Sequence, residues 1–356
     1  MLSNVGFKSE NMKQTVKKLL SRLGYYRILR SLKSGTSLFI LMYHDLADDK
    51  KPISIGSYLR DRVSRTQFEA HLGVLARNYR VLSVEQAVNE MATDGELAED
   101  TVSITFDDGY RSVHDIAYPL LRKYDLPATV YPTNDWINGK MRLWWEELAD
   151  MIAGCTLSDE TYGEIERALG FELGKRIAGE SDVWKKRFLL HNSIAGRIRE
   201  LNDADVSGKM SELRNVLAYD ESKHTPAEAM NWTQIAEMAK NNIRFGSHTC
   251  SHLNLSHAGL DVIENEMLES RSDIEGHIDS KVEGFAYPYG QDIDSYKRIE
   301  PVLSKHGFTY ACTAFPGSNR ADSNRYSLLR GTLPVTESKA VLEREILLGL
   351  SARRTP

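Results

Sequence analysis

Apolar positions along the chain fall into two rhythms. Residues 37–44 hold the continuous apolar run Leu-Phe-Ile-Leu-Met-Tyr and read as a fully buried strand, with Tyr43 and His44 at its carboxyl end. Residues 101–106, Thr-Val-Ser-Ile-Thr-Phe, are dense in β-formers and read as a second buried strand, and Asp107, Asp108 and Gly109 follow on what reads as the turn at its end. Shorter strands are predicted over 81–82, 128–132, 243–248, 284–288, 308–313 and 326–329. Helical spacing fills the gaps at 66–79, 83–93, 113–124, 260–279, 293–305 and 336–350. Thr66-x-x-Glu69 and Ser83-x-x-Gln86 have the form of capping boxes opening the first two helices. Strands and helices in this order suit βα units around a parallel sheet, and without a Gly-x-Gly-x-x-Gly after the first strand they favour a barrel over a dinucleotide-binding sheet.

Residues 140–235 break that alternation: they are polar and helix-rich at 143–152, 182–202 and 211–218, with no good strand. They read as a helical insertion. Its adjacent Trp144 and Trp145 face different sides of a helix, so they serve either to dock the insertion on the core or to stack on sugar rings. Residues 10–33 form a basic segment with leucines at roughly helical spacing, which suits peripheral contact with an anionic membrane or packing on the domain with its charges exposed. The expected organisation is a basic amphipathic helix in 1–35, one main domain over 36–335 carrying the insertion, and a C-terminal helix and tail over 336–356.

Composition narrows the class. With 41% hydrophobic and 27% charged residues, the chain is an ordinary globular sequence. The charge is uneven: residues 1–35 carry +7 and the remainder −12, giving −5 in all, which makes no case for nucleic acid as a partner. Three scattered cysteines, Cys155, Cys250 and Cys312, do not form a disulfide framework. No apolar run reaches the length of a membrane span, and the first residues lack a leader's apolar block, so the expectation is a cytoplasmic location, either free or peripheral at the inner membrane surface.

The candidate chemistry begins at Asp107 and Asp108. Adjacent carboxylates repel, so they occur together where a cation or a division of labour separates them, or on a solvated Asp-Asp-Gly turn. His248-Thr-Cys-Ser-His252 places two imidazoles four residues apart, and Zn²⁺ accepts imidazole and carboxylate together. In a barrel all strand carboxyl ends meet on one face, which would bring these groups together. Cys250 reads as a packing residue, because a backbone aiming both imidazoles at one point aims position 250 elsewhere, and His257 reads as a surface or supporting residue.

Thr105-Phe-Asp-Asp-Gly109, His248-Thr-x-x-His252 and Tyr287-Pro-Tyr-Gly290 together resemble the polysaccharide deacetylase (NodB-homology, carbohydrate esterase 4) family over residues 36–335. The resemblance implies an α/β fold, a distorted (β/α)₇ barrel, that removes N-acetyl groups from an amino-sugar glycan or its lipid- or nucleotide-linked precursor. It implies one divalent metal ion, Zn²⁺ first, with Ni²⁺, Co²⁺ or Mn²⁺ as alternatives. Carried over residue by residue, Asp107 is the general base, Asp108, His248 and His252 hold the metal, and Pro288, Tyr289 and Tyr43 lie with the substrate or the oxyanion. Two departures stand out. Ala286 occupies the place of an arginine that holds the base, and no histidine follows His306 where the family's common pattern has its general acid. The first strand resembles that of the circularly permuted, poly-N-acetylglucosamine deacetylase-like subset, which makes His44 the acid. Arg330 is the candidate to replace the lost arginine, or else a surface ion pair. A catalytically silent glycan-binding barrel and another mononuclear metal hydrolase are the competing readings.

Overall fold

The structure, a computed structural model, describes residues 35–49, 59, 62–173, 177, 179–224, 226–290 and 293–352. The basic segment expected over 10–33 lies outside the described residues.

The two long buried strands form the centre of the main sheet. Strand β1 (Leu38–Tyr43) pairs in parallel with β5 (Thr101–Asp108) along its whole length. Between them in the chain lie β2 (Leu46–Ala47), β3 (Val63–Ser64), helix α1 (Arg65–Asn78), β4 (Arg80–Val81) and α2 (Val84–Asp94). A π-helical turn at Val113–Ala117 and α3 (Tyr118–Tyr124) then lead to β6 (Ala128–Pro132) and the short helix α4 (Asn134–Ile137). The insertion contributes α5 (Trp144–Gly154), α6 (Asp159–Leu169), α7 (Val183–Ile198) and α8 (Asp203–Val216), and α9 (Trp232–Ala239) returns the chain to β7 (Ile243–Phe245). The last third alternates α10 (Leu260–His277), β8 (Gly284–Ala286), α11 (Ile293–Lys305), β9 (Tyr310–Cys312), β10 (Arg330–Gly331) and α12 (Lys339–Ser351).

The regular ladders make a six-stranded sheet of order β10-β1-β5-β6-β7 with β4 beside β5, and two-stranded sheets β2-β3 and β8-β9. All of these ladders are parallel. Single parallel bridges, Ser247 to Phe285 and Cys312 to Leu328, lie between the ends of these sheets. The ladders themselves therefore do not close the ring expected from the sequence.

Three local expectations shift. The first helix is capped by Ser64 with Gln67, because Ser64 holds the extended backbone a cap needs (φ −73°, ψ 161°). Thr66 instead gives its hydroxyl and its N–H to Asp49, at 2.6 and 2.8 Å. Asp107 and Asp108 are the last residues of β5 rather than its turn, because Tyr131 and Pro132 of β6 continue the ladder beside them. The final strand runs over Arg330–Gly331, leaving a lone bridge at Leu328 within the expected 326–329. The second capping box, Ser83 with Gln86, forms where the sequence places it.

The main apolar core packs helices against the sheet around Phe68, Leu72, Ile104, Phe106 and Phe285. The insertion has a core of its own, built on Trp144, Leu148, Ile152, Ile165, Ile194 and Leu213. Among the described residues no helix is long and apolar enough to cross a membrane.

Candidate metal centre and active site

Parallel pairing puts the carboxyl ends of β1, β5, β6 and β7 along one edge. Tyr43 pairs with Phe106, so His44 leaves β1 beside Asp107, while Val130 pairs with Phe245, so the chain after β7 leaves on the same edge. His44 Nε2 lies 4.0 Å from Asp107 Oδ2, and its side chain is 47% exposed against 3% for Asp107. The edge opens into a cavity of about 1130 Å³ whose lining includes His44, Asp107, Asp108, His248, His252, Pro288, Tyr289 and Arg330.

Arg330 is 1% exposed, which removes the surface-pair reading. Its register on β10 is opposite Ile40, and its side chain reaches to the end of β5. Nη1 and Nη2 each donate to one oxygen of Asp107 at 2.7 Å, and Nε donates to the Thr313 carbonyl at 2.6 Å. Burial alone would push the Asp107 carboxyl up, yet Arg330, with His248 and His44, holds it down at about 2. Asp107 is thus a fixed, ionised acceptor.

Asp108, His248 and His252 converge, all buried, with ligand atoms within 4.8 Å of one another. Both imidazole Nε2 atoms lie 3.5 Å from Asp108 Oδ1. His248 Nδ1–H donates to the Ala286 carbonyl at 2.8 Å, so Nε2 is the nitrogen turned to Asp108; burial would push this imidazole down, yet the carboxylates of Asp108 and Asp107 beside it hold it above its ordinary value. Asp108 Oδ1 is buried with no hydrogen-bond donor among the described residues. A buried carboxylate oxygen and two imidazole nitrogens converge in this way only with positive charge between them, a proton or a metal ion. Donors each roughly 2.1 Å from a tetrahedral ion sit about 3.4 Å apart, so this spacing fits Zn²⁺ or an ion of similar size. Burial and the neighbouring His248 push His252 down to about 3, which keeps it a neutral ligand.

The backbone is strained where these groups meet. Asp108, Thr249, His252 and Tyr289 have φ of 69°, 65°, 56° and 60°, a left-handed region costly for side chains other than glycine. Tertiary contacts hold it. Glu266 on α10 accepts from the N–H groups of Cys250 and Ser251 at 2.8 and 2.9 Å and from the Ser251 hydroxyl at 2.9 Å. Asp135 N–H donates to the Cys250 carbonyl at 2.8 Å, and the Cys250 thiol turns to the Glu266 carbonyl at 3.5 Å, outside the metal cluster, so Cys250 is a buried packing residue.

The insertion is part of the site. Trp144 lies in the insertion's core and donates to the Tyr289 hydroxyl at 3.0 Å, while Trp145 packs its ring on His252 at 4.7 Å and donates to the Tyr110 hydroxyl at 3.0 Å. Tyr110 in turn donates to buried Glu146 at 2.6 Å, and Arg62 joins Glu146 to Asp45. Asn254 reaches back to the carbonyls of Arg199 and Leu201 at 2.8 and 3.3 Å. Glu266, Glu146, Tyr110 and Asn254 are absent from the sequence reading, and no local pattern marks them, since each acts across a long stretch of chain.

Tyr289 stacks edge-on against His252 at 4.7 Å, and burial pushes its phenol up to about 12. Tyr43 also lines the cavity. Its hydroxyl, 5% exposed with the rest of the side chain, lies 3.0 Å from Nδ1 of buried His71, whose Nε2–H donates to the Thr336 carbonyl at 3.2 Å. Tyr43 therefore spends its hydroxyl in the core and fixes the backbone that carries His44. His257 is exposed at the cavity rim.

Three comparisons accompany this geometry. A family model described as polysaccharide deacetylase matches residues 94–163 and 215–311, leaving most of the insertion unmatched. The putative polysaccharide deacetylase YxkH of Bacillus subtilis (strain 168) is 36% identical over 129 residues, which cover 36% of this chain and 43% of that protein. The aligned part therefore spans less than half of that relative's length. Among solved structures, the Streptococcus pyogenes deacetylase PplD in complex with acetate aligns with a TM-score of 0.57 at 17% identity, covering 88% of this chain and 99% of the other. IcaB from Ammonifex degensii aligns with a TM-score of 0.52 at 18% identity, covering 88% and 98%. At these identities the likeness is one of fold.

Proposed function

The chain belongs to the polysaccharide deacetylase family, and on that premise we propose that it is a metal-dependent hydrolase that removes N-acetyl groups from an amino-sugar glycan of the cell surface or its precursor. The observation that carries the reading is the pairing of a buried Asp-His-His cluster with an ionised, arginine-locked carboxylate beside it. A glycan-binding barrel without catalysis would have no need of both. The fold that goes with this function is the distorted (β/α)₇ barrel, supported by the two single parallel bridges, which fall where β7 would meet β8 and β9 would meet β10.

Asp108, His248 and His252 would hold one divalent ion, Zn²⁺ first among candidates. When bound, that ion would polarise the amide carbonyl and stabilise the charge that develops on its oxygen. Asp107, kept ionised by Arg330, takes the proton from the attacking water. Fixed on both oxygens by one guanidinium, it cannot swing into the cluster and become a further ligand. His44, exposed to the cavity 4.0 Å from Asp107, gives a proton to the departing amine nitrogen. No group among the described residues accepts from the Tyr289 N–H, which leaves it free to donate to the oxyanion beside His252.

Acetate release from a panel of N-acetylhexosamine glycans, with and without chelator, tests the reading. Release should stop with chelator, return with Zn²⁺ and stay absent in Asp108→Asn. Release that ignores the chelator sinks the metal assignment. His44→Gln should keep the metal and lose roughly 10²–10⁴ in turnover; wild-type turnover with metal bound would remove His44 as the acid.

A further inference from the structure

His44 and Asp45 link β1 to β2, and this link is pinned from both sides. Tyr43 before it ends β1, and Leu46 after it opens β2, which pairs in parallel with β3. Asp45 is held on both carboxylate oxygens: the Ser112 hydroxyl donates to Oδ1 at 2.6 Å, and Arg62 Nη2 lies 2.7 Å from Oδ2. The Ser112 oxygen also accepts from the Leu46 N–H at 3.0 Å. His44, Asp45 and Arg62 all precede the residues that the polysaccharide deacetylase model matches, so this support is no part of the matched family pattern.

The same Arg62 Nη2 reaches across to the insertion. It donates to Oε2 of Glu146 on α5 at 3.3 Å, and Tyr110 donates its hydroxyl to Oε1 at 2.6 Å. One guanidinium is thus shared by two largely buried carboxylates. Such a bridge gains little net stability over an apolar contact, because desolvation offsets the attraction. It does demand one arrangement, since a carboxylate out of place is left buried without its cation. The residue beside Asp45 that lines the cavity and faces Asp107 is His44.

We propose that Glu146 and Arg62 are positioning residues for the general acid: through Asp45 they fix the link that carries His44, so that its N–H meets the departing nitrogen. The inference rests on the proposed deacetylase function. As the C–N bond of the tetrahedral intermediate breaks, its electron pair stays on nitrogen and takes the proton that His44 gives, while the oxyanion's pair re-forms the carbonyl. A displaced acid slows that step alone. An ester whose leaving group is a stable phenolate departs without the proton, so it has no need of His44 in place.

The test compares Arg62→Met and Glu146→Gln with the wild type, all full-length and Zn²⁺-loaded, on the N-acetylglucosamine tetramer and on para-nitrophenyl acetate. Arg62→Met should lose about tenfold or more in kcat on the amide with KM within threefold of wild type, and less than threefold on the ester. Glu146→Gln keeps the bond from Tyr110 but turns an amide NH₂ toward Arg62; it should show the same split at about three- to tenfold, and it carries the test if Arg62→Met does not fold. Zn²⁺ affinity by competition titration should stay within threefold in both. In a His44→Gln background, Arg62→Met should cost nothing further on the amide. Equal losses on amide and ester, a tenfold loss of Zn²⁺ affinity, undiminished amide turnover, or a full extra cost in the His44→Gln background each overturn the positioning role and leave the deacetylase reading standing. If the Zn²⁺-loaded wild type releases acetate from no N-acetylated glycan, the deacetylase reading falls and the positioning role falls with it.

Discussion

The carboxylate and histidine halves of the site are held by opposite means. Asp107 and Asp108 finish an eight-residue strand that is buried throughout, paired on both sides, and clamped by a guanidinium. His248 and His252 lie on an irregular loop after a three-residue strand, and two residues of the stretch from 248 to 252 have left-handed backbone. The carboxylate half is rigid because the sheet makes it so. The histidine half is rigid only because α10, the Ala286 carbonyl and the insertion hold it. One half should therefore fail by losing fold stability and the other by losing metal affinity.

Arg330→Met should produce the largest effect. It strands buried Asp107, a loss on the order of 3–5 kcal/mol, read as a fall in the denaturant midpoint. If Glu266→Ala on the histidine side lowered stability as much, the contrast between the halves would break.

Next comes acid. Burial pushes His71, behind Tyr43, down to about 4, so it is neutral in the fold while the unfolded chain takes up a proton near pH 6.5. Its neutral state supports the fold fully above pH 6.5, and that support is lost as pH falls toward 4, by about 3 kcal/mol in all. Denaturation series between pH 7 and 4 should show this slope, and His71→Leu should flatten it. A slope unchanged in the variant would take His71 out of the carboxylate side's support.

The smallest effect on stability, but the sharpest on metal, belongs to Glu266→Ala. It frees the N–H groups of Cys250 and Ser251 without touching a ligand, and Zn²⁺ affinity should weaken about 10–100-fold by competition titration. Full affinity would mean the loop holds its own shape.

The same contrast governs what could be read from the sequence. Both carboxylates, both histidines and His44 are marked by local pattern: apolar runs ending in polar groups, and a fixed spacing within one loop. The alternation of short strands with helices is equally plain, as is the helical insertion, while the expected elements leave out α6 and, after the insertion, α9. The exact ends moved because partners set them. Asp107 and Asp108 joined the strand through β6, and Thr66 lost the cap to Ser64 once Asp49 engaged it.

The sequence by itself determined which residue types could do this chemistry, because strand ends and loop spacing are local properties that a few neighbours impose. Only the tertiary structure decided which supports make them a site. Arg330 reaches Asp107 across 223 positions, Ala286 sets the proton on His248 across 38, and Glu266 holds the histidine loop from the next helix. Trp145, from the insertion, closes one wall. A hydrogen bond or ring contact between distant residues leaves no periodic trace in the chain, since it depends on where two whole elements come to lie and not on the residues beside either of them.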